Sequence, residues 1–267
     1  MVIPRSVYAR LIERFIFNFR LAPDALASHL PAPYLQPQVI NGWSVVSFCV
    51  LMLDRVMLSP LPSFLGFKTV SCAYRCGVID TSGASPEPSV YITDRNTDLP
   101  IISRLGPWVF SDTILMIRPS ITQEGDAVTI RVNYLDRQRL FAAEAKPSEI
   151  PGKLDSQVFD SIDAFARFMH LGVSSYTPAI YGDALAKVDL HKDDPSYVPL
   201  SATVDYSSLD GVWRDAGIAF DSAVRATGGL YTWTYRGLGL KDPQETLLRQ
   251  ERLSVRTFRS LRRAKPE

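Results

Sequence analysis

Residues 88–118 read PSVYITDRNTDLPIISRLGPWVFSDTILMIR, and this stretch decides the predicted fold. Its first part alternates between the two faces of an extended chain and predicts a β-strand that ends at Asp94. A polar turn and a short apolar segment follow, and a second strand of mostly apolar residues ends at Arg118. Two strands joined by a short apolar segment therefore form the centre of the predicted architecture.

Strand patterns continue on both sides of this stretch and recur about every ten residues. Residues 14–21 alternate phenylalanine with other residues, and residues 127–134 alternate apolar with mostly polar residues. The pattern of the second half of the chain predicts five further strands. Those strands are 173–179, 184–191, 198–206, 218–225 and 230–235. Apolar residues at intervals of three and four predict the clearest helix over residues 157–171. The pattern is that of a mainly β (α+β) protein with a few helices.

The composition is that of an ordinary globular domain. Of 267 residues, 46% are hydrophobic and 21% are charged, and we treat residues 1–267 as a single domain. A Pro- and Gly-containing break at residues 146–153 and a basic C-terminal element at residues 236–267 are its internal landmarks. The formal net charge of +1 provides no general attraction for nucleic acid or for an anionic membrane.

The apolar segments and the cysteines favour a cytoplasmic protein. The longest apolar run, residues 45–53, is far shorter than the roughly 20 residues of a membrane helix, and charged residues interrupt the region where a secretory signal would lie. Cys49, Cys72 and Cys76 are odd in number and lack a paired spacing, so we interpret them as buried small hydrophobes. We therefore expect no metal, no nucleic acid and no membrane partner.

Five passages, in their order and spacing, resemble the acetoacetate decarboxylase-like superfamily, and in particular its branch catalogued as unknown-function family 2071. They are FNFRLAPDALASHLPAPY (17–34), WSVVSFCVLML (43–53), SVYITDRNTDLPIISRLG (89–106), RFMHLGVSSYTP (167–178) and VDLHKDDPSYVPL (188–200). The resemblance implies an antiparallel β-barrel with a central cavity and a few peripheral helices. It also implies a small-molecule substrate or ligand, no cofactor, and a homo-oligomeric assembly as in many relatives.

The resemblance fails at the residues that carry the superfamily's signature chemistry. In decarboxylating members a lysine from an adjacent pair condenses with a β-keto acid, and the protonated imine draws electrons from the breaking carbon–carbon bond. The matching place in this chain reads Phe110-Ser111-Asp112 and holds no lysine. An imine at that place is chemically impossible with these residues.

Lys68 and Asp94 are the predicted catalytic residues. Lys68 matches the strand on which the superfamily usually carries a cavity glutamate, and a lysine within an apolar strand is unusual. It would bind a substrate carboxylate or form an imine from a different wall, unless it points outward at the strand end. Asp94 ends a strand at a turn, where its carboxylate would relay a proton or would only close the turn.

Four further residues are predicted to bind the substrate. Arg104 lies in the segment that resembles the superfamily's active-site region, and its guanidinium would hold a carboxylate through two parallel hydrogen bonds. Tyr74 shares a strand face with Lys68. Ser111 and Asp112 occupy the place of the missing lysine pair.

Three functions fit these observations. The first is a lyase of the superfamily. It would act on a keto acid or a related carbonyl or enol metabolite without the Schiff-base lysine pair. The second is a non-catalytic small-molecule-binding barrel that has lost the nucleophile. The third is a cyclase or hydratase that shapes a reactive intermediate without imine chemistry.

Overall fold

The computed structural model describes residues 6–180, 184–193 and 195–240. Within these ranges the chain forms fourteen strands and four α-helices. The strands are β1 Ser6–Leu21, β2 Leu35–Pro37, β3 Val39–Ile40, β4 Trp43–Leu58, β5 Phe67–Asp80, β6 Glu87–Thr97, β7 Ile114–Glu124, β8 Ala127–Tyr134, β9 Arg139–Pro147, β10 Ser174–Pro178, β11 Ala184–Lys192, β12 Ser196–Ser207, β13 Ala219–Thr227 and β14 Leu230–Leu240. The helices are α1 Pro23–Ala27, α2 Pro100–Phe110, α3 Ile162–Leu171 and α4 Leu209–Val212.

The strands form one mixed sheet whose hydrogen-bonded pairings close on themselves twice. One circuit, here called the nine-strand ring, runs β1-β13-β12-β9-β8-β7-β6-β5-β4 and back to β1. The other, the seven-strand ring, runs β1-β14-β11-β10-β6-β5-β4 and back to β1. The two rings therefore share one wall, which consists of β1, β4, β5 and β6.

The outer edges of two long strands make this branching possible. The edge of β1 pairs with β14 over residues 6–10 and with β13 over residues 13–20. The edge of β6 pairs with β10 over residues 89–91 and with β7 over residues 95–97. Each strand is long enough to pair with a different partner at each end, and this divides the sheet into two rings.

The predicted mainly β architecture is confirmed, and the sheet differs from the predicted antiparallel barrel in two respects. The pairings form two joined rings, and β6 runs parallel to both β7 and β10. The reason for the first parallel pair is α2, which lies between β6 and β7 in sequence and provides the crossover that a parallel pair requires. The sequence indicated only a short apolar segment where this helix forms.

Aromatic side chains fill the middle of the nine-strand ring. The Phe48 ring lies 4.2 Å from that of Phe141 and 4.7 Å from that of Tyr74, measured between centroids. Phe17 lies 4.8 Å from Phe141 on the opposite side. These contacts join β9 to three strands of the shared wall in one buried core, and such aromatic pairs stabilise the folded state beyond their buried area.

A second core lies on the other face of β1 and β4, beneath α3. Phe159 and Phe165 pack there edge to face at 5.2 Å. The predicted helix over residues 157–171 begins later than expected, at Ile162, because Ser161 caps it by accepting a hydrogen bond from the backbone of Ala164. The helix ends at Leu171, as the pattern predicted.

The three cysteines are buried and free, as predicted. In the described ranges no helix has the length and apolar character needed to cross a membrane. The same ranges contain no group of three or more His, Cys, Asp or Glu side chains placed to hold a metal ion. Most of the basic C-terminal element, from residue 241 onward, lies outside the described residues.

Candidate functional site

Three arginines project from the shared wall into the seven-strand ring. Arg14 lies on β1, Arg75 on β5 and Arg95 on β6. The pairing register places all three on one face of the sheet. Arg14 pairs with Leu51 and Arg75 pairs with Ser47, and these two partners lie on the same side of β4. Arg95 pairs with Ala73, which lies on the side of β5 that carries Arg75. The nine-strand ring receives the opposite face, which carries the aromatic core.

Arg14 is the most deeply buried of the three, with 1% of its surface exposed. Its Nη2 donates a hydrogen bond to Sγ of Cys49 at 3.1 Å. Its Nε is buried and has no hydrogen-bond partner among the described residues. A buried guanidinium that donates to a thiol instead of a carboxylate costs folding free energy, because burial removes the water that would otherwise stabilise its charge.

Arg75 lies close enough to the other two arginines to be repelled by their positive charges. Burial, together with the charges of Arg14 and Arg95, lowers the pKa of Arg75 to about 10. The Nε of Arg75 is also buried without a hydrogen-bond partner in the described part of the chain. The protein therefore holds like charges close together in a poorly solvated place, which is typical of a site that binds an anion.

Arg95 has a carboxylate partner. Its Nε lies 2.8 Å from Oδ2 of Asp112, and its Nη2 donates to Oγ of Ser175 at 3.2 Å. Burial raises the pKa of Asp112, and the attraction of Arg95 offsets only part of that effect. Burial likewise lowers the pKa of Arg95 in spite of the nearby carboxylate.

Two compartments are lined by these arginines, and a third adjoins one of them. The inner compartment, about 30 Å³, lies between Arg14, Arg75 and Lys192 and is covered by α3. The arginine compartment, about 100 Å³, is lined by Arg75 and Arg95 together with Cys72 and Asn96. The apolar compartment, about 400 Å³, lies between α2 and the segment that joins β4 to β5.

Shared lining residues connect the compartments. Arg75 lines both the inner and the arginine compartments. The arginine and apolar compartments have five lining residues in common, which are Val7, Val56, Ile102, Phe110 and Ile114. A ligand whose anionic group lies at the arginines therefore has space next to it on the apolar side.

Two of the predicted site residues, Lys68 and Arg104, lie on the surface. Lys68 is exposed at the start of β5. Burial raises the pKa of the Asp54 carboxyl, but Arg10 and, to a smaller extent, the charge of Lys68 lower it, and the net effect is a lowered pKa. The register of the β4–β5 pairing shifts beside Lys68, between Leu53 and Val56. The alternation that assigns the later residues of β5 to the cavity face therefore does not extend to Lys68. Arg104 is exposed on the outer side of α2.

Two other predicted residues lie on the nine-strand side of the shared wall. Tyr74 donates a hydrogen bond from its hydroxyl to the carbonyl oxygen of Leu140 at 3.1 Å, and Ser207 lies 2.9 Å from the same hydroxyl. Oδ2 of Asp94 accepts hydrogen bonds from Asn96 at 2.8 Å and from Tyr134 at 3.3 Å. Since neighbouring residues of a strand point to opposite faces, Asp94 and Arg95 serve different rings.

The remaining two predicted residues lie at the end of α2. Ser111 is buried and ends the helix in the left-handed conformation, with φ of 56°. Asp112 follows directly and reaches Arg95, so it is the predicted residue that the fold brings to the arginines. Sequence reasoning missed Arg14 and Arg75. The available signal was Arg75 itself, a charge within the otherwise apolar run CAYRCGV of residues 72–78.

No family model matches the chain, and no curated protein matches its sequence. Among solved structures, the acetoacetate decarboxylase from Legionella pneumophila is 16% identical with a TM-score of 0.56 and covers 86% of this chain and 87% of its own. An acetoacetate decarboxylase-like enzyme from Sphingomonas wittichii RW1 is 12% identical with a TM-score of 0.56, covering 88% and 92%. The enduracididine biosynthesis enzyme MppR complexed with pyruvate is 13% identical with a TM-score of 0.53, covering 90% and 91%.

These similarities extend over nearly the whole chain and establish a fold similar to that of acetoacetate decarboxylase-like enzymes. The fold predicted from the five sequence passages is confirmed to that extent. Assignment to the unknown-function family 2071 branch stays a prediction, because no family model matches.

Proposed function

We propose that the chain is an enzyme of the acetoacetate decarboxylase-like superfamily that holds the carboxylate of a keto acid, or of a related carbonyl or enol metabolite, against Arg14, Arg75 and Arg95. The observation that carries this proposal is the excess of positive charge in one enclosed place. Three guanidiniums and the single carboxylate of Asp112 leave two positive charges uncompensated among the arginines described here. An entering carboxylate would compensate one of them and provide hydrogen-bond acceptors for the buried N–H groups.

The same charges suit the chemistry of carbonyl compounds. Breaking a bond next to a carbonyl group leaves negative charge on the carbonyl oxygen, and fixed cations in a poorly solvated cavity stabilise that charge as it develops. The similarly folded MppR is complexed with pyruvate, a small keto acid. A keto acid is therefore the first substrate class to test.

We assign proton transfer to Asp112. Its carboxylate would accept the proton from the carbon next to the substrate carbonyl, while the electron pair of that C–H bond moves to the carbonyl oxygen as an enolate. A carboxyl whose pKa is raised by burial is a better base for this step than one with an ordinary pKa. No lysine is needed for this route.

An imine route would need a different lysine from the one predicted. Lys192 is the lysine that lines the inner compartment in the described part of the chain, and its Nζ donates a hydrogen bond to the carbonyl oxygen of Met169. Borohydride reduction in the presence of pyruvate or acetoacetate, followed by mass spectrometry, decides between the routes. The enolate route predicts no adduct on Lys192, and an adduct there would replace it.

Binding and turnover test the proposal separately. We expect acetoacetate and pyruvate to bind at millimolar concentrations by calorimetry, and Arg75→Gln to weaken that binding at least tenfold. Arg104→Gln is the matched control, because this arginine is exposed outside the compartments. Undiminished affinity of Arg75→Gln for both acids would overturn the proposal.

Exchange of substrate hydrogens separates an enzyme from a binding protein. In D₂O, the wild-type protein should exchange the hydrogens next to the ketone of a bound acid, and Asp112→Asn should lose that exchange while it still binds. Binding without exchange or product favours the non-catalytic alternative. A ring-closed or dehydrated product from a larger keto acid would favour the cyclase or hydratase alternative.

Homo-oligomeric assembly is also part of the proposal, and measurement of the molecular mass in solution tests it.

A further inference from the structure

We infer that the natural ligand carries an extended apolar tail and that the apolar compartment holds this tail while the arginines hold the carboxylate. The inference rests on the proposed function, since the same ligand is taken to reach Arg75 and Arg95. It specifies the ligand class as a carboxylate or keto acid with an alkyl or aryl tail, in place of an acid as small as pyruvate.

The walls of the apolar compartment carry no polar side chain among the described residues. Its lining comes mainly from α2, the end of β4 and the segment before β5, with one residue each from β1, β5 and β7, and it consists of apolar residues and Gly106. Leu61, Leu65 and Leu105 on this lining are 51%, 50% and 45% exposed. Large apolar side chains left open to water around a concavity indicate a surface that is covered in the working state of the protein.

The size of the compartment favours a small molecule. Its volume of about 400 Å³ lies within the range of pockets that enclose small ligands, which is about 300 to 1,000 Å³. The arginine compartment beside it has only about 100 Å³. The two spaces together therefore offer more room on the apolar side than around the charges.

Orientation is the reason to assign both spaces to one ligand. Apolar contacts alone do not orient a ligand, whereas a few polar groups at one end of a pocket do. Here those groups are Arg75 and Arg95, which lie just past the lining shared by the two compartments. A tail entering from the apolar side would bring its carboxylate to the arginines, past Ile102, Phe110 and Ile114.

A series of straight-chain acids tests this inference. Affinities of acetate, butyrate, hexanoate, octanoate and decanoate, each below its micelle concentration, are measured by calorimetry with the full chain. Each methylene buried should strengthen binding about three- to fourfold, until the compartment is full. Affinity that does not change from butyrate to decanoate would overturn the inference.

Two variants locate the tail. Leu105→Gln should weaken the affinity for decanoate at least tenfold and leave the affinity for acetate unchanged, so that affinity depends less on chain length. Leu135→Gln is the matched control, since Leu135 is 48% exposed but lies in the turn between β8 and β9, away from the lining. Equal losses in both variants would contradict a tail in this compartment.

Changing the head group separates this inference from the proposed function. Decanol and decylamine should bind at least tenfold more weakly than decanoate, and Arg75→Gln should remove that difference. If the short acids bind through Arg75 and chain length has no effect, only this inference fails. If decanol binds as tightly as decanoate and Arg75→Gln changes nothing, the carboxylate site fails, and the proposed function fails with it.

Discussion

Nε of Arg95 lies 2.8 Å from Oδ2 of Asp112, and this ion pair ties β6 to the residue just beyond α2. The side chain of Asp112 is 4% exposed and that of Arg95 is 15% exposed. The pair thus connects the shared wall to the end of α2, the helix that lines the apolar compartment. It also supplies the carboxylate that partly balances the three arginines.

The two partners of this pair should be energetically coupled. Arg95→Met alone leaves a buried carboxylate without its partner, and Asp112→Leu alone leaves Arg95 beside other positive charges. We expect the double variant to be more stable than the sum of the single effects predicts, by about 2 kcal/mol. Urea unfolding of the four proteins measures this coupling, and strictly additive effects would contradict it.

The raised pKa of Asp112 predicts an unusual dependence of stability on pH. The folded protein holds this proton more tightly than the unfolded chain, whose carboxyl titrates near 3.8. The contribution of Asp112 to the free energy of unfolding therefore falls as pH rises from 3.8 toward the raised pKa. Asp112→Asn should lack this fall above pH 3.8, whereas the exposed Asp126→Asn should follow the wild type. Parallel curves for Asp112→Asn and the wild type would refute the assignment.

Arg75 should cost stability while it serves binding. Burial and two neighbouring guanidiniums lower its pKa to about 10, which means that the fold disfavours its charged form. Arg75→Gln should therefore raise the free energy of unfolding at pH 7 by about 1 to 2 kcal/mol. The same variant should lose carboxylate binding. A destabilised Arg75→Gln protein, judged by urea unfolding, would show that the arginine is structural.

Gly106 allows α2 to lie close against β7. A methyl group at this position would lie 2.2 Å from Cδ1 of Ile114, so Gly106→Ala should cost about 1 to 3 kcal/mol through overpacking. Adding Ile114→Val, which removes that Cδ1 atom, should recover part of the loss, since Cγ1 at 2.9 Å from the added methyl group remains. Gly211→Ala is the matched control, because nothing lies within 4 Å of a methyl group there. Thermal unfolding of the three variants checks the contact, and no recovery in the double variant would contradict it.

The regular elements could largely be predicted from the sequence. Alternation located the five strands of the second half, and the periodicity of three and four located α3. The site could not be predicted in the same way. Alternation in residues 14–21 separates Phe15, Phe17 and Phe19 from Arg14 and its neighbours, and in a one-sided sheet the face that carries Arg14 would meet water.

The amino-acid order is enough to locate the extended segments, to show which side chains share a face, and to exclude a lysine at Phe110-Ser111-Asp112. What each face meets depends on the folded arrangement of the strands. Because β1 and β5 belong to a wall shared by two rings, both of their faces are enclosed, and Arg14 and Arg75 enter the seven-strand ring. Side-chain alternation is a local property of the backbone, whereas the covering of a face depends on strands distant in the chain, and it is this covering that turns surface-like arginines into a binding site.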